Sequence, residues 1–163
     1  MTRNLDCFDV ASPIGKLRVM MEGDAIVLLE FADRRLRIGK HLEKYHRGKA
    51  INQIDAPARI ADTLNRYFNG EGTALESMKV RPSGTDFQKH VWRNLLKIPA
   101  GKTWSYHDLA ESANSHPRAV GSANGANPCA LIIPCHRVIG KDGSLTGYAG
   151  GLERKKWLLE RGL

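Results

Sequence analysis

The hydrophobic pattern of this chain changes period near its midpoint, and that change constrains the fold more than any single motif. Before residue 32 the apolar residues fall in short runs at strand spacing. Asn4–Val10, Lys16–Met21 and Ala25–Phe31 read as strands, separated by Ser12-Pro13, Gly15 and Gly23-Asp24. Arg34–Arg47 is polar and basic and reads as a helix. Pro57–Asn69 is a second helix, with Ile60, Leu64, Tyr67 and Phe68 on one face, Pro57 near its start and Gly70 after its end. Glu71–Gly84, with Pro82, Ser83 and Gly84, reads as a loop and holds the boundary between two domains.

After that loop the spacing becomes helical. Thr85 with Gln88 forms a capping-box pattern, and Phe87, Val91, Leu95 and Ile98 mark one face before Pro99. Ser105 with Asp108 repeats the pattern ahead of Tyr106, Leu109, Ala110 and Ala113. Asn114–His116 breaks the run, and Pro117 suits the first turn of a helix reaching about Asn127. Two short helices across so short a break fit a helix-turn-helix. Ala130–Ile133 is a buried apolar run. Leu152–Glu160 reads as a closing helix anchored by Trp157, Leu158 and Leu159. The fold class is therefore α+β. A small α/β N-terminal domain over 1–80, a short antiparallel sheet plus helices, packs on a mainly α C-terminal domain over 81–163.

A chain of 163 residues, 42% hydrophobic and 26% charged, buries a core without staples and is neither disordered nor fibrous. No apolar run approaches the roughly 18 residues needed to span a bilayer. Met1–Val10 has no export pattern, and Cys7, Cys129 and Cys135 are an odd count, so reduced thiols and a cytoplasmic location are expected. The net charge of +8 attracts polyanions. Residues 84–163 hold 11 basic and 6 acidic side chains against 14 and 11 in residues 1–83, so the excess leans to the second half.

Chemistry concentrates at Ile132-Ile133-Pro134-Cys135-His136-Arg137-Val138. A thiol becomes nucleophilic when cationic or proton-accepting neighbours favour its thiolate, and Cys135 has both beside it. Adjacency is not contact, because successive side chains of an extended segment diverge. On spacing alone, an inert buried cysteine beside a surface histidine remains open. Cys7 and Cys129 read as core residues. Without a Cys-x-x-Cys pair, no metal site is expected. The helix from Pro117 carries Arg118, Ala119, Gly121, Ser122, Ala123 and Gly125. Two glycines cost about 1 kcal/mol each relative to alanine, so something approaches this helix closely. A neighbouring helix or a nucleic-acid groove would each do so, and a helix this slim fits a minor groove with Arg118 at its tip. The glycines of 140–151 lack the phosphate-loop pattern, and Tyr148 there either walls a pocket or lies in a surface loop.

These motifs together resemble the O6-alkylguanine-DNA alkyltransferases, in their bacterial form without a fused regulatory domain. The resemblance rests on Thr85-Asp86-Phe87-Gln88 with Val91-Trp92, Ile98-Pro99-Ala100-Gly101, Ser105-Tyr106, Arg118-Ala119-Val120-Gly121, Asn127-Pro128, Ile133 to Ile139 and Gly147-Tyr148-Ala149-Gly150-Gly151. It is looser in the first domain, at Ser12 to Leu17. It implies direct DNA repair by irreversible, single-turnover transfer of an alkyl group from O6-alkylguanine, and less readily O4-alkylthymine, to Cys135. By the same resemblance His136 takes the thiol proton through water, Tyr106 helps protonate the leaving purine, and Asn127 braces the turn. Arg118 fills the gap left by an extruded nucleotide. The resemblance further implies that Ala119, Gly121, Ser122 and Ala123 face the groove. On the same resemblance the carbonyls of Cys135 and Val138 would read the base, Tyr148 and Ala149 would wall it, and Arg137 would add positive potential.

The partner implied is double-stranded DNA bearing O6-alkylguanine. No cofactor, metal or membrane is implied, and the protein is expected to be a monomer. Three departures from the family pattern stand out. Gly162 occupies the place of a glutamate that usually orients the histidine, leaving Glu160 about 200° away around a helix. Ala149 replaces a serine and Ala130 a proline found in some relatives. The alternatives are a sensor that binds alkylated bases without chemistry, which the reactive cysteine opposes, and a Cys-His hydrolase that turns over repeatedly.

Overall fold

The computed structural model describes residues 3–163; Met1 and Thr2, the start of the stretch read for an export signal, lie outside the described residues. Strands β1 (Leu5–Val10), β2 (Leu17–Glu22) and β3 (Ala25–Phe31) form antiparallel neighbours. A third strand pairing departs from the sequence reading. Strand β4 (Ile51–Gln53) lies parallel to β1, so the sheet is mixed, in the order β3-β2-β1-β4. All three β4 residues are exposed, so no alternation marks this edge strand in the sequence. Helix α1 (Arg35–Tyr45) buries Ile38 alone, and α2 (Ala58–Phe68) buries Ile60, Leu64 and Tyr67 while Phe68 is half-buried. The loop 71–84 contains one turn of 3-10 helix at Ala74–Ser77.

Both expected capping boxes form. Thr85 caps α3 (Asp86–Leu95), and Ser105 caps α4 (Tyr106–Ala113), each joined reciprocally to the third helical residue. Each cap is worth roughly 1 kcal/mol. Helix α3 stops three residues earlier than its apolar spacing suggests. Ile98 is buried beyond its end, and Phe87 is 40% exposed. Helix α5 (Pro117–Gly125) packs on α3 and α4 across the break at 114–116, where Asn114 turns left-handed at φ 54°. Two short parallel strands, β5 (Trp104–Ser105) and β6 (Val138–Ile139), tie the start of α4 to the segment after Cys135. Helix α6 (Leu152–Glu160) closes the chain. Its buried residues are Leu158 and Lys155, whereas Trp157 and Leu159 are half-buried.

The outer edge of β3 does not face solvent. Leu29 donates to Pro128 O and accepts from Ala130 N, both at 2.9 Å, which joins the sheet to the turn ahead of Cys135. One apolar core therefore runs from β2 and β3 through α2 and α3 to the cysteine turn.

Candidate active site

The turn from Asn127 to Cys135 is tightly wound. Leu131 adopts φ 70°, in the left-handed region that disfavours a branched side chain, while Ile132 N bonds Ala130 O at 2.8 Å. Ile133 N returns to Cys129 O, and Cys135 N bonds Ile133 O at 2.8 Å. Strain of this kind persists only where the surroundings over-determine it. Asn127, 1% exposed, does so from inside. Its Nδ2 donates to Ile133 O at 2.8 Å, and its Oδ1 accepts from Cys129 N at 2.9 Å. From outside, Arg37 of α1 donates from Nη2 to Asn127 O at 2.9 Å and from Nε to Glu30 at 2.8 Å. Glu30, almost fully buried on β3, also accepts from Phe31 N. Sequence reasoning missed this Glu30–Arg37–Asn127 chain, whose members lie 97 positions apart at the extremes. The one local signal was a carboxylate inside an otherwise apolar strand.

Cys135 faces a pocket of about 320 Å³ lined by Tyr106, Gly121, Asn124, Asn127, Tyr148 and Ala149 among others. The pocket is large enough for a purine-sized ring system. Gly121 and Gly125 both line it. A methyl group on Gly121 would touch the Tyr106 ring at an ordinary 3.6 Å, and one on Gly125 would meet nothing within 4 Å. No helix packing inside the protein requires these glycines. At Gly150 the opposite holds, since a Cβ would lie 2.7 Å from the Tyr148 ring and 2.6 Å from Phe31. That closeness seats Tyr148 edge-on to Phe31 and to His136.

Burial governs the ionisation of the site. Cys135 is 6% exposed, and burial pushes its thiol up to about 11, with Asn127, Arg37 and Lys155 opposing less strongly. The expectation that neighbouring cations favour the thiolate at rest is corrected here. His136 is fully buried and lowered to about 3 by desolvation, so its ring is neutral. The Leu163 backbone approaches and favours the cation, yet neither ring nitrogen completes a well-formed hydrogen bond to the protein. No side-chain carboxylate figures among the groups acting on the ring. Glu160 is exposed and pairs with Lys156 at 3.8 Å, while Gly162, at φ 70°, has no side chain to offer.

Several expected residues sit elsewhere than the sequence suggested. Arg137 points into the core, not towards DNA; its Nε donates to Leu163 O at 2.7 Å and Nη1 to Ile98 O at 2.8 Å. Ala123 is buried, and its carbonyl accepts from Trp92 Nε1 at 2.8 Å, so it offers no side chain to a groove. Val138 is fully buried and its carbonyl already accepts from Lys155 Nζ at 2.6 Å; it does not line the pocket. Arg118 and Ser122 are exposed on α5, and Ala119 is half-buried. Cys7 and Cys129 are core residues, as expected.

Two residues the sequence reading passed over also matter. Asn124 donates from Nδ2 to Cys135 O at 3.3 Å. Lys155, on the inner face of α6, donates to Val138 O and Thr146 O. A lysine one turn from both Leu152 and Leu158 was the available signal. Among the described residues, His107, Asp108 and Glu111 come within metal-ligating distance of one another. All three are exposed, and Asp108 is spent on the α4 cap.

Fold and site together define a protein with one buried cysteine at a base-sized pocket, flanked by a slim exposed helix. The family models described as "6-O-methylguanine DNA methyltransferase, ribonuclease-like domain" and "6-O-methylguanine DNA methyltransferase, DNA binding domain" match residues 10–82 and 86–162. The chain belongs to that family. Relatives named methylated-DNA–protein-cysteine methyltransferase include one from Shigella flexneri, 38% identical over 92% of this chain and 91% of the relative. Another, from Mycobacterium tuberculosis, is 42% identical over 93% and 88%. The solved structure of Mycobacterium tuberculosis OGT in complex with DNA superimposes with a TM-score of 0.79 at 38% identity, covering 95% of this chain and 91% of the other. The enzyme from Pyrococcus kodakaraensis KOD1 aligns with a TM-score of 0.72 at 28% identity, over 97% and 98%.

Proposed function

We propose that this methyltransferase repairs DNA directly, moving the alkyl group of O6-alkylguanine, and less readily O4-alkylthymine, onto Cys135 in a single irreversible turnover. The observation that carries this reading is Cys135 at the floor of a base-sized pocket kept open by Gly121 and Gly125. Sγ attacks the alkyl carbon, the C–S bond forms as the C–O bond breaks, and the purine leaves with the bonding pair. The thiol proton passes through water to His136, whose neutral ring is an acceptor. Tyr106, at the pocket wall, donates towards the departing purine. A thioether is a poor leaving group, so the cysteine is not regenerated.

With the thiol held high at rest, proton removal accompanies attack and does not precede it. Asn127, Glu30 and Arg37 fix the turn during the reaction. Tyr148 and Ala149 wall the base, and the Cys135 carbonyl reads its edge beside Asn124. Arg118, exposed and without an ion pair among the described residues, enters the duplex where the nucleotide swings out. In this reading α4 and α5 act as a helix-turn-helix in the minor groove, and the chain divides near residue 80 into a bracing domain and a reacting domain. The reading takes the protein as a cytoplasmic monomer; its three cysteines are free, and among the described residues no helix is long and apolar enough to cross a membrane.

The test is stoichiometry. Incubation with excess duplex carrying O6-methylguanine should repair one lesion per protein molecule and then stop. Continued repair beyond one equivalent would indicate a hydrolase, and tight binding with no repair a sensor.

A further inference from the structure

A second cavity, more than twice the volume of the one that holds Cys135, lies beside it. A groove of about 770 Å³ runs between α1 and the segment after α5, and it shares Glu30, Arg37 and Ala149 with the cysteine pocket. The two cavities therefore adjoin along a common wall. Its α1 wall carries Arg37, Lys40, His41 and Lys44, which recur at three- and four-residue spacing and so occupy one helix face. From Arg37 to Lys44 this face extends roughly 10 Å, the axial length of about three base pairs.

The charge along the groove is not balanced internally. Glu30 is committed to Arg37, and Asp33 to Arg154 and Arg34. Arg35, Lys40 and Lys44 have no carboxylate within 4.0 Å among the described residues, and both lysines are exposed. His41 reports the same imbalance from within. Its Nε2 is buried without a partner, and burial together with His46, Arg37 and Lys44 holds the ring down to about 4. An acceptor-rich anion in the groove would meet these cations and offer that nitrogen an oxygen.

We infer that this groove is a second DNA contact, in which Lys40 and Lys44 hold the sugar-phosphate backbone of a strand leading away from the base pocket. The inference rests on the proposed reading of the pocket. It adds to the α4–α5 surface a grip supplied by the N-terminal helix, so that one strand is held on both sides of the pocket. Glu30 and Arg37 then sit where strand and nucleophile meet, and the groove and the cysteine turn are parts of one clamp.

The experiment compares the wild type with the Lys40→Gln/Lys44→Gln double variant, titrating an undamaged duplex at several potassium chloride concentrations. Each phosphate contact contributes about 0.9 to the slope of log affinity against log salt. The double variant should lose about 1.8 from that slope and bind roughly 10- to 30-fold more weakly at about 0.15 M salt. Its reaction with a free alkylguanine base should match the wild type, because neither lysine lines the cysteine pocket. Unchanged affinity and slope would overturn the inference and leave α1 a solvated basic face. An equal loss with the free base would also overturn it, showing that the lysines act through the pocket. If the wild-type cysteine stays unmodified by lesion DNA, the proposed function fails, while the salt slope still reads the groove independently.

Discussion

Cys135 and His136 are both held in the uncharged form by burial, the thiol raised to about 11 and the imidazole lowered to about 3. The pair is not a preformed thiolate–imidazolium. In the free protein the Cys135 thiolate, followed by its ultraviolet absorbance, should titrate near 11; a midpoint below 8 would contradict this. His136 has a consequence for stability. Its folded-state pKa lies below the unfolded value near 6.5, so the unfolded chain binds the extra proton between about 6.5 and 3. Stability should therefore fall as pH drops through that window, by up to about 1.4 kcal/mol per pH unit. Denaturant melts from pH 7 to pH 4 should show this slope, and His136→Gln should make it shallower by one proton's share, the depressed His41 and His46 keeping the rest. The sequence made Cys135 and His136 stand out as a pair. It did not reveal their ionisation, because burial depends on Tyr148, Phe31 and the α6 end closing over them from distant positions.

Among elements, the turn of residues 127–135 depends on partners from both ends of the chain. Its interior brace, Asn127, was expected through the family resemblance alone. Its exterior brace was not, since a salt bridge between β3 and α1 leaves no periodic trace. Removing Asn127 would orphan the buried Cys129 N and leave Ile133 O with Cys135 N as its one donor. Asn127→Ala should cost about 2–4 kcal/mol in denaturant melts and abolish alkyl transfer in the fraction that remains folded. Glu30→Gln and Arg37→Met should be non-additive by about 0.5–1.5 kcal/mol in a double-mutant cycle, since they share one half-buried ion pair through which Glu30 holds Arg37 against the turn. Additive effects would show that the bridge does not hold the turn. Elements with strong local signals were read close to their true bounds, including β3, the two capping boxes and α6. The strand β4 was invisible because both its faces are exposed, and Arg137 was misplaced because its anchors, Leu163 and Ile98, lie far from it in sequence.

At the scale of the whole molecule, the N-terminal sheet serves the reacting half directly: the β3 edge completes the cysteine turn, and α1 adds Arg37. Arg118 stands exposed at the head of α5. If it holds the duplex open, Arg118→Ala should slow repair of duplex DNA at least 10-fold more than reaction with a free alkylguanine base. Equal losses on the two substrates would remove Arg118 from nucleotide extrusion. The central claim is that Cys135 itself takes and keeps the alkyl group. It is tested most directly by intact-protein mass spectrometry after incubation with duplex DNA containing O6-methylguanine. The account predicts a gain of one methyl group, mapping to the peptide that contains Cys135 and absent from Cys135→Ala. An unmodified wild-type mass, or a methyl group on any other residue, would contradict it.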